Sequence, residues 1–206
     1  MNITLTNTGK RYNREWIFRN LSYDFVQGNS YAITGANGSG KSTLLQVIAG
    51  AVMHSEGTLS YGSAGNAQLL NENAYLQISI AAPYLEPIEE MTGAEFLKFH
   101  STFKVLKNSI PEILSAVGLT KAADKQIRYY SSGMKQRLRL AQAFFSETSV
   151  LLLDEPLTNL DEEGISVYKK LWSEYTQGRL VIVSSNDMQE YEHCREVISI
   201  GDYKTS

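Results

Sequence analysis

The sequence predicts an α/β fold with a parallel sheet, an N-terminal antiparallel β region and an all-helical insert. Three observations carry this expectation. The glycine-rich stretch GANGSGKST at 35–43 separates a short β-prone run from a helically spaced one. Four consecutive apolar residues at 150–153, ending at Asp154, Glu155 and Pro156, suit a parallel strand buried on both faces. A helical stretch at 162–176 leading to a strand at 180–184 repeats the alternation from which parallel sheets with crossover helices are built.

Taken in order, Ile3 and Leu5 alternate with threonines as an edge strand would, and 16–25 reads as a second strand before a turn at Gln27, Gly28 and Asn29. Between the two lies GKRYNRE, read as a polar loop in which Tyr12 is an exposed aromatic. There, stacking on a base and plain packing are both open to it. The β-prone run 31–34 precedes the glycine-rich stretch, and the helix after it spans 42–49, with Gly50 as its stop. Residues 56–61 read as a hairpin strand and 74–80 as another. From 83 to 130 helix formers dominate, with apolar Phe96, Leu97, Phe99 and Phe103, then Ile110, Ile113, Leu114 and Val117 before a terminating Gly118. Ser131 or Ser132 caps a further helix that runs to about 147. After Asn186 come one helix, a strand at 197–200 and a turn at Gly201 and Asp202.

At 206 residues the chain suits one large α/β domain, 1–206, with a helical subdomain at about 83–147. The balance of 19 basic against 22 acidic residues gives no reason to expect nucleic acid as a partner, and Lys135, Arg137 and Arg139 read as a solvated helix face. The single cysteine, Cys194, has no internal partner for a disulfide, which points to a reducing compartment. The start lacks the apolar core of a secretory signal, and no stretch approaches the ~20 apolar residues of a membrane span. Work at a membrane would require another chain to supply the spans.

The chemistry centres on Gly35 to Thr43, a glycine, four residues, then Gly40, Lys41 and Ser42, the phosphate-loop pattern. Successive backbone N–H groups and the positive end of the following helix suit a polyphosphate, with Lys41 reaching the β and γ phosphates and Ser42 ligating magnesium. An aspartate closing a buried strand supplies the oxygen that Mg²⁺ or its waters need, which assigns Asp154. Glu155 would face the γ-phosphate and orient or deprotonate the attacking water. Taken without the phosphate loop, Glu155 reads first as a strand-end carboxylate in a surface hydrogen bond. The helix N-terminus at Ser131 is a second possible anion site, a weak signal that ordinary capping also explains.

With these pieces in order, the chain resembles the ATP-binding cassette (ABC) family over nearly its whole length. GANGSGKST is similar to the Walker A motif, VLLLDEP at 150–156 to Walker B with its glutamate, YSSGMKQRLRLA to the family signature, and LTNLD, ending at Asp161, to the D-loop. Tyr12 holds the place of the aromatic that stacks on adenine. Met134 stands for the usual glutamine of the signature and Ser132 for its first glycine. The resemblance implies a phosphate-loop NTPase core that binds ATP and Mg²⁺. ATP would contact Tyr12, Gly35, Asn37, Gly38, Ser39, Gly40, Lys41, Ser42 and Thr43. Ser131 and Gly133 would contribute across a head-to-tail dimer, Asp161 of the D-loop would also contact the nucleotide, the metal would lie at Ser42 and Asp154, and catalysis would involve Glu155, Lys41 and Asn186. It further implies a second nucleotide-binding subunit, identical or different, and membrane-spanning partners. Pro83, Tyr84 and Leu85 are candidates for the partner surface, and the expected location is cytoplasmic, peripheral on the inner face of the membrane.

Two departures from the family pattern bear on activity. Asn186 stands where a histidine usually contacts the γ-phosphate, and asparagine neither becomes a cation nor exchanges a proton near neutral pH. Alanine, Ala81 or Ala82, stands where a glutamine usually touches magnesium and water, with Gln77 a few residues early as a substitute. The expectation is therefore a transporter ATPase subunit whose hydrolysis is slow. The alternative is a hydrolysis-poor, nucleotide-gated module paired with another ABC subunit. Soluble ABC proteins of translation or DNA repair carry a second cassette or a long coiled coil, which this sequence lacks.

Overall fold

The computed structural model describes residues 1–62 and 73–204. Strands β1 (Asn2–Tyr12), β2 (Glu15–Phe25) and β4 (Glu56–Gly62) form an antiparallel sheet in the order β2-β1-β4. β1 is thus central and not an edge: Ile3 pairs with Phe25 on one side and with Tyr61 on the other. The Ile3 and Leu5 alternation that suggests an edge strand reflects a sheet buried on one face only. GKRYNRE is mostly strand as well. Gly9 to Tyr12 belong to β1, Glu15 opens β2, and the turn is confined to Asn13, at φ 54°, and Arg14.

Strands β3 (Ser30–Thr34), β5 (Ile78–Ala81), β6 (Val150–Asp154), β7 (Leu180–Ser184) and β8 (Glu196–Ser199) form a second sheet in the order β5-β6-β7-β3-β8, its pairs all parallel. The hairpin strand expected at 74–80 is corrected here: 74–77 is a 3₁₀ turn, and Ile78 to Ala81 pair in parallel with Val150 to Leu153. Three of the four β5 residues are buried, which suits an element packed on two faces better than a hairpin arm.

The period-2 alternation of β6 and β7 divides the molecule. Val150, Leu152, Leu180 and Ile182 face a core shared with the antiparallel sheet and helix α1 (Lys41–Ile48). Leu151, Leu153, Val181 and Val183 face a second core built from helices α2 (Gly93–His100), α3 (Ile110–Ala116), α4 (Ser132–Phe145) and α5 (Glu162–Tyr175). Each such leucine, fully buried, contributes about 1.5–3 kcal/mol.

The helical insert holds two short α-helices whose starts are fixed locally. Thr92 with Glu95, and Ser109 with Glu112, form capping boxes, and Pro111 sits in the first turn of α3. The basic cluster on α4 is not a solvated face. Lys135 pairs with Glu89, and Arg139 is buried, donating to the Leu85 carbonyl at 3.0 Å and to Gln136 Oε1 at 3.2 Å. Arg139 lies under the start of the insert, so its charge is met by that segment instead of by water.

Arg179, just before β7, is buried and joins four segments. It donates to the Phe144 carbonyl at 3.0 Å, to the Tyr175 carbonyl at 3.3 Å, to Ser79 Oγ at 2.7 Å and to Thr148 Oγ1 at 2.6 Å. Phe144 and Tyr175 close α4 and α5, so a cation meets the negative ends of two helices. Among the described residues no helix is long and apolar enough to cross a membrane.

Candidate functional site

The carboxyl ends of β3, β6 and β7 converge, as expected for ligand sites in parallel sheets. The loop after β3 is shaped by two glycines. Gly40 lies at φ 103°, and a Cβ there would stand 2.3 Å from Ile17 Cγ2; at Gly35, φ 149°, a Cβ would meet Ile200 and Ser39 at 2.8 Å. Gly40 precedes α1, whose N-terminus receives no side-chain cap, so its first-turn N–H groups are available to an anion. Asn37, Gly38, Ser39, Gly40, Lys41, Ser42 and Thr43 line one cavity, together with Ile17 and Glu155.

Within it Lys41 is 5% exposed and its ammonium donates to the carbonyls of Gly35 at 2.8 Å and Ala36 at 3.3 Å. Those carbonyls are neutral acceptors, so anionic phosphate oxygens would compete well for the same donor. Two buried oxygens beside the loop, Ser39 Oγ and Asp154 Oδ1, have no hydrogen-bond partner. Burial raises the Asp154 carboxyl pKa, and the Ser42 hydroxyl opposes that rise. An orphaned carboxylate oxygen next to a hydroxyl is the donor set that a hard divalent cation accepts.

Glu155 follows in the left-handed region at φ 44°, a conformation held by its N–H bond to the Ser184 carbonyl at 2.9 Å. Its side chain borders both the phosphate-loop cavity and a neighbouring one lined by Asn37, Leu157, Thr158, Asn186, Asp187 and Glu190. Asn186 Nδ2 donates to Asn37 Oδ1 at 3.2 Å, which brings the loop after β7 against the phosphate loop.

The remaining predicted residues lie elsewhere in this chain. Tyr12, 47% exposed at the hairpin tip, is outside the lining of the phosphate-loop cavity and carries the Lys10 ammonium 4.7 Å from its ring centroid. Ser131 Oγ caps α4 by accepting from Met134 N at 3.2 Å, and Asp161 caps α5 by accepting from Gly164 N at 2.9 Å. Gly133 packs against the loop between β6 and α5, where a Cβ would stand 2.9 Å from the Asn159 carbonyl. Gln77 is no substitute for the missing glutamine. It lies in the 3₁₀ turn at the amino end of β5, accepting from Ser149 Oγ at 2.7 Å, while Ala81 and Ala82 at the other end are buried.

Ile17 and Glu190 escape sequence reasoning, and Tyr84 is anticipated only as partner surface. Ile17 is one more apolar residue of β2 by sequence, yet packs on Gly40. Tyr84 lies close enough to Asp154 to feel its charge and is hydrogen-bonded to Gln46; although the residue as a whole is 43% exposed, desolvation of its phenol end, then that charge, pushes the phenol up to about 12. Glu190 reads as one acid among several after Asn186, and is 5% exposed. The parallel pairing of Ala81 with Leu153 sets the start of the insert, and with it Tyr84, beside Asp154.

The family model described as ABC transporter matches residues 18–158. The chain belongs to the ABC transporter family. Among curated ABC relatives, it is 30% identical over 204 residues to the uncharacterized ABC transporter ATP-binding protein YybJ of Bacillus subtilis, covering 97% of this chain and 89% of that protein. The lantibiotic transport ATP-binding protein SrtF of Streptococcus pyogenes is 27% identical over 198 residues, covering 95% and 85%. In fold, the chain matches a putative ABC transporter ATP-binding protein from Pyrococcus furiosus with a TM-score of 0.82 and 21% identity, both chains covered over their full length. As an ABC ATP-binding subunit the chain binds ATP, and its function is to power a transporter.

Proposed function

We propose that this chain hydrolyses ATP with Mg²⁺ in a head-to-tail dimer of nucleotide-binding subunits, on the inner face of a membrane whose transport path other chains supply. The observation that carries the reading is the meeting of three strand ends. The uncapped phosphate loop, Glu155 and Asn186 border two cavities that share Asn37 and Glu155, and the buried Asp154 lies behind them, hydrogen-bonded to Ser42. Ser42 and Asp154 would hold the metal, which neutralises phosphate charge when bound. Among the described residues no group of three or more His, Cys, Asp or Glu is placed to hold a cation, so phosphate oxygens and water would complete the coordination. Lys41 would steady the β and γ phosphates, and Glu155 would accept a hydrogen bond from the attacking water. Ser131, Gly133 and Asp161 lie away from this chain's own phosphate loop, and that supports their serving the partner subunit's nucleotide. Tyr12 would stack on the base from the hairpin tip.

The whole of 1–206 then acts as one nucleotide-binding domain, with 83–147 as its helical part. Tyr84 and Leu85 border an apolar cavity with Gln46, Ala49 and Ile80, which suits a segment of the membrane partner. A second reading, a nucleotide-gated module with little hydrolysis, is favoured by Asn186 and by buried Ala81 and Ala82.

Mg-ATP turnover across a range of protein concentrations separates the two. Under the first reading turnover rises with concentration, and Asn186→His raises it about tenfold, the worth of one stronger, charge-assisted hydrogen bond. Binding without turnover in either chain favours the gated module. Lys41→Ala is expected to weaken Mg-ATP affinity about 10–100-fold, the loss of a charged hydrogen bond, as read by equilibrium nucleotide binding. Native affinity in that variant would remove Lys41 from the phosphate site.

A further inference from the structure

We infer that Glu190 is a positioning residue for hydrolysis, clamping the backbone that carries Glu155 to the segment that carries Asn186. The inference rests on the hydrolytic reading above. Helix α6 (Met188–Tyr191) is a single turn, started by Asp187, whose carboxylate accepts from Gln189 N at 3.0 Å. That turn drives the Glu190 side chain inward, toward the loop after β6. Its Oε1 accepts from Leu157 N at 2.7 Å, two residues beyond Glu155. The other end of the residue is held too: the fully buried Tyr168 of α5 donates its hydroxyl to the Glu190 carbonyl at 2.9 Å.

The clamp has two points. Ser184, the last residue of β7, accepts from Glu155 N, and Glu190 accepts from Leu157 N, so 155–157 is fastened at both ends to 184–190. A glutamate at φ 44° sits in a sparsely populated region, which costs on the order of 1–3 kcal/mol and persists only where the surroundings enforce it. A buried carboxylate supplies a stronger acceptor for that purpose than a neutral group does. Burial, and the nearby charges of Asp187 and Glu155, disfavour the ionised form, so the arrangement has a cost that simple packing would avoid. Glu190 also borders the cavity shared by Glu155 and Asn186, so any slackening of the clamp moves the carboxylate relative to the γ-phosphate site.

The test uses the full chain with Glu190→Ala and Glu190→Gln, measuring kcat and KM for Mg-ATP beside a thermal melt. In Glu190→Ala, kcat is expected to fall about 10²-fold, the effect of a misplacement near 1 Å, with KM changed less than about twofold. Glu190→Gln, whose amide oxygen still accepts from Leu157, should recover most of the loss. A lowered melting point with native kcat in Glu190→Ala would show a structural role only, and a glutamine variant as slow as the alanine one would rule out the acceptor. Absence of turnover in the unmodified chain is a different outcome: it defeats the hydrolytic reading itself, and the clamp's catalytic role with it.

Discussion

Glu155→Gln is expected to bind Mg-ATP as tightly as the unmodified chain and to turn it over about 10²–10⁴-fold more slowly, the range for losing a general base. The amide matches the carboxylate in shape, so the left-handed backbone and the bond from Glu155 N to Ser184 survive. On the proposed reading, the substitution would remove the acceptor for the water's proton, while Lys41, Ser42 and Asp154 would still hold the nucleotide. The bound state should therefore accumulate as a long-lived dimer. ATP-dependent elution at twice the monomer mass reads this directly, beside phosphate release. Native turnover in the variant would take Glu155 out of the chemistry.

Arg179→Met is expected to lower stability by about 3–5 kcal/mol, since it removes the donor to Thr148 Oγ1 and to the carbonyl ends of two helices, and one of the two donors to Ser79 Oγ. Methionine fills much of the volume and supplies none of the hydrogen bonds. Burial lowers the Arg179 pKa to about 10, which leaves the guanidinium charged at neutral pH and able to meet the helix ends. For a chain of this size the loss corresponds to a melting point lower by about 10 °C, read by calorimetry or circular dichroism. A shift under about 2 °C would mean that water or rearranged side chains replace the arginine without penalty.

The parallel sheet was legible because β6 and β7 are apolar runs that end at Asp154 and Ser184, and GANGSGKST reports its own geometry through glycines that no other residue can replace at Gly40. The order of strands was not legible. β1 reads as an edge and 74–80 as a hairpin arm because alternation records which face is wet, and says nothing of how many neighbours a strand has. The basic cluster on α4 misleads for a related reason: Arg139 is buried by the chain between β5 and α2, which is distant in sequence. Glu155 and Asn186 were legible as motif positions. Glu190, Tyr84 and Ile17 depend on contacts from β6, α1 and the phosphate loop, and local sequence does not record those meetings.

The two cores on opposite faces of the parallel sheet have a consequence for how such a chain can change over generations. Alternate residues of β6 and β7 belong to different cores, so a substitution that suits one face leaves the other untouched. In the helical half, the exposed Phe99, Phe103 and Val105 can be exchanged for another partner's sake without disturbing the core under the phosphate loop. Helix α1, which follows the phosphate loop, packs on the opposite face, so that exchange leaves its packing unchanged.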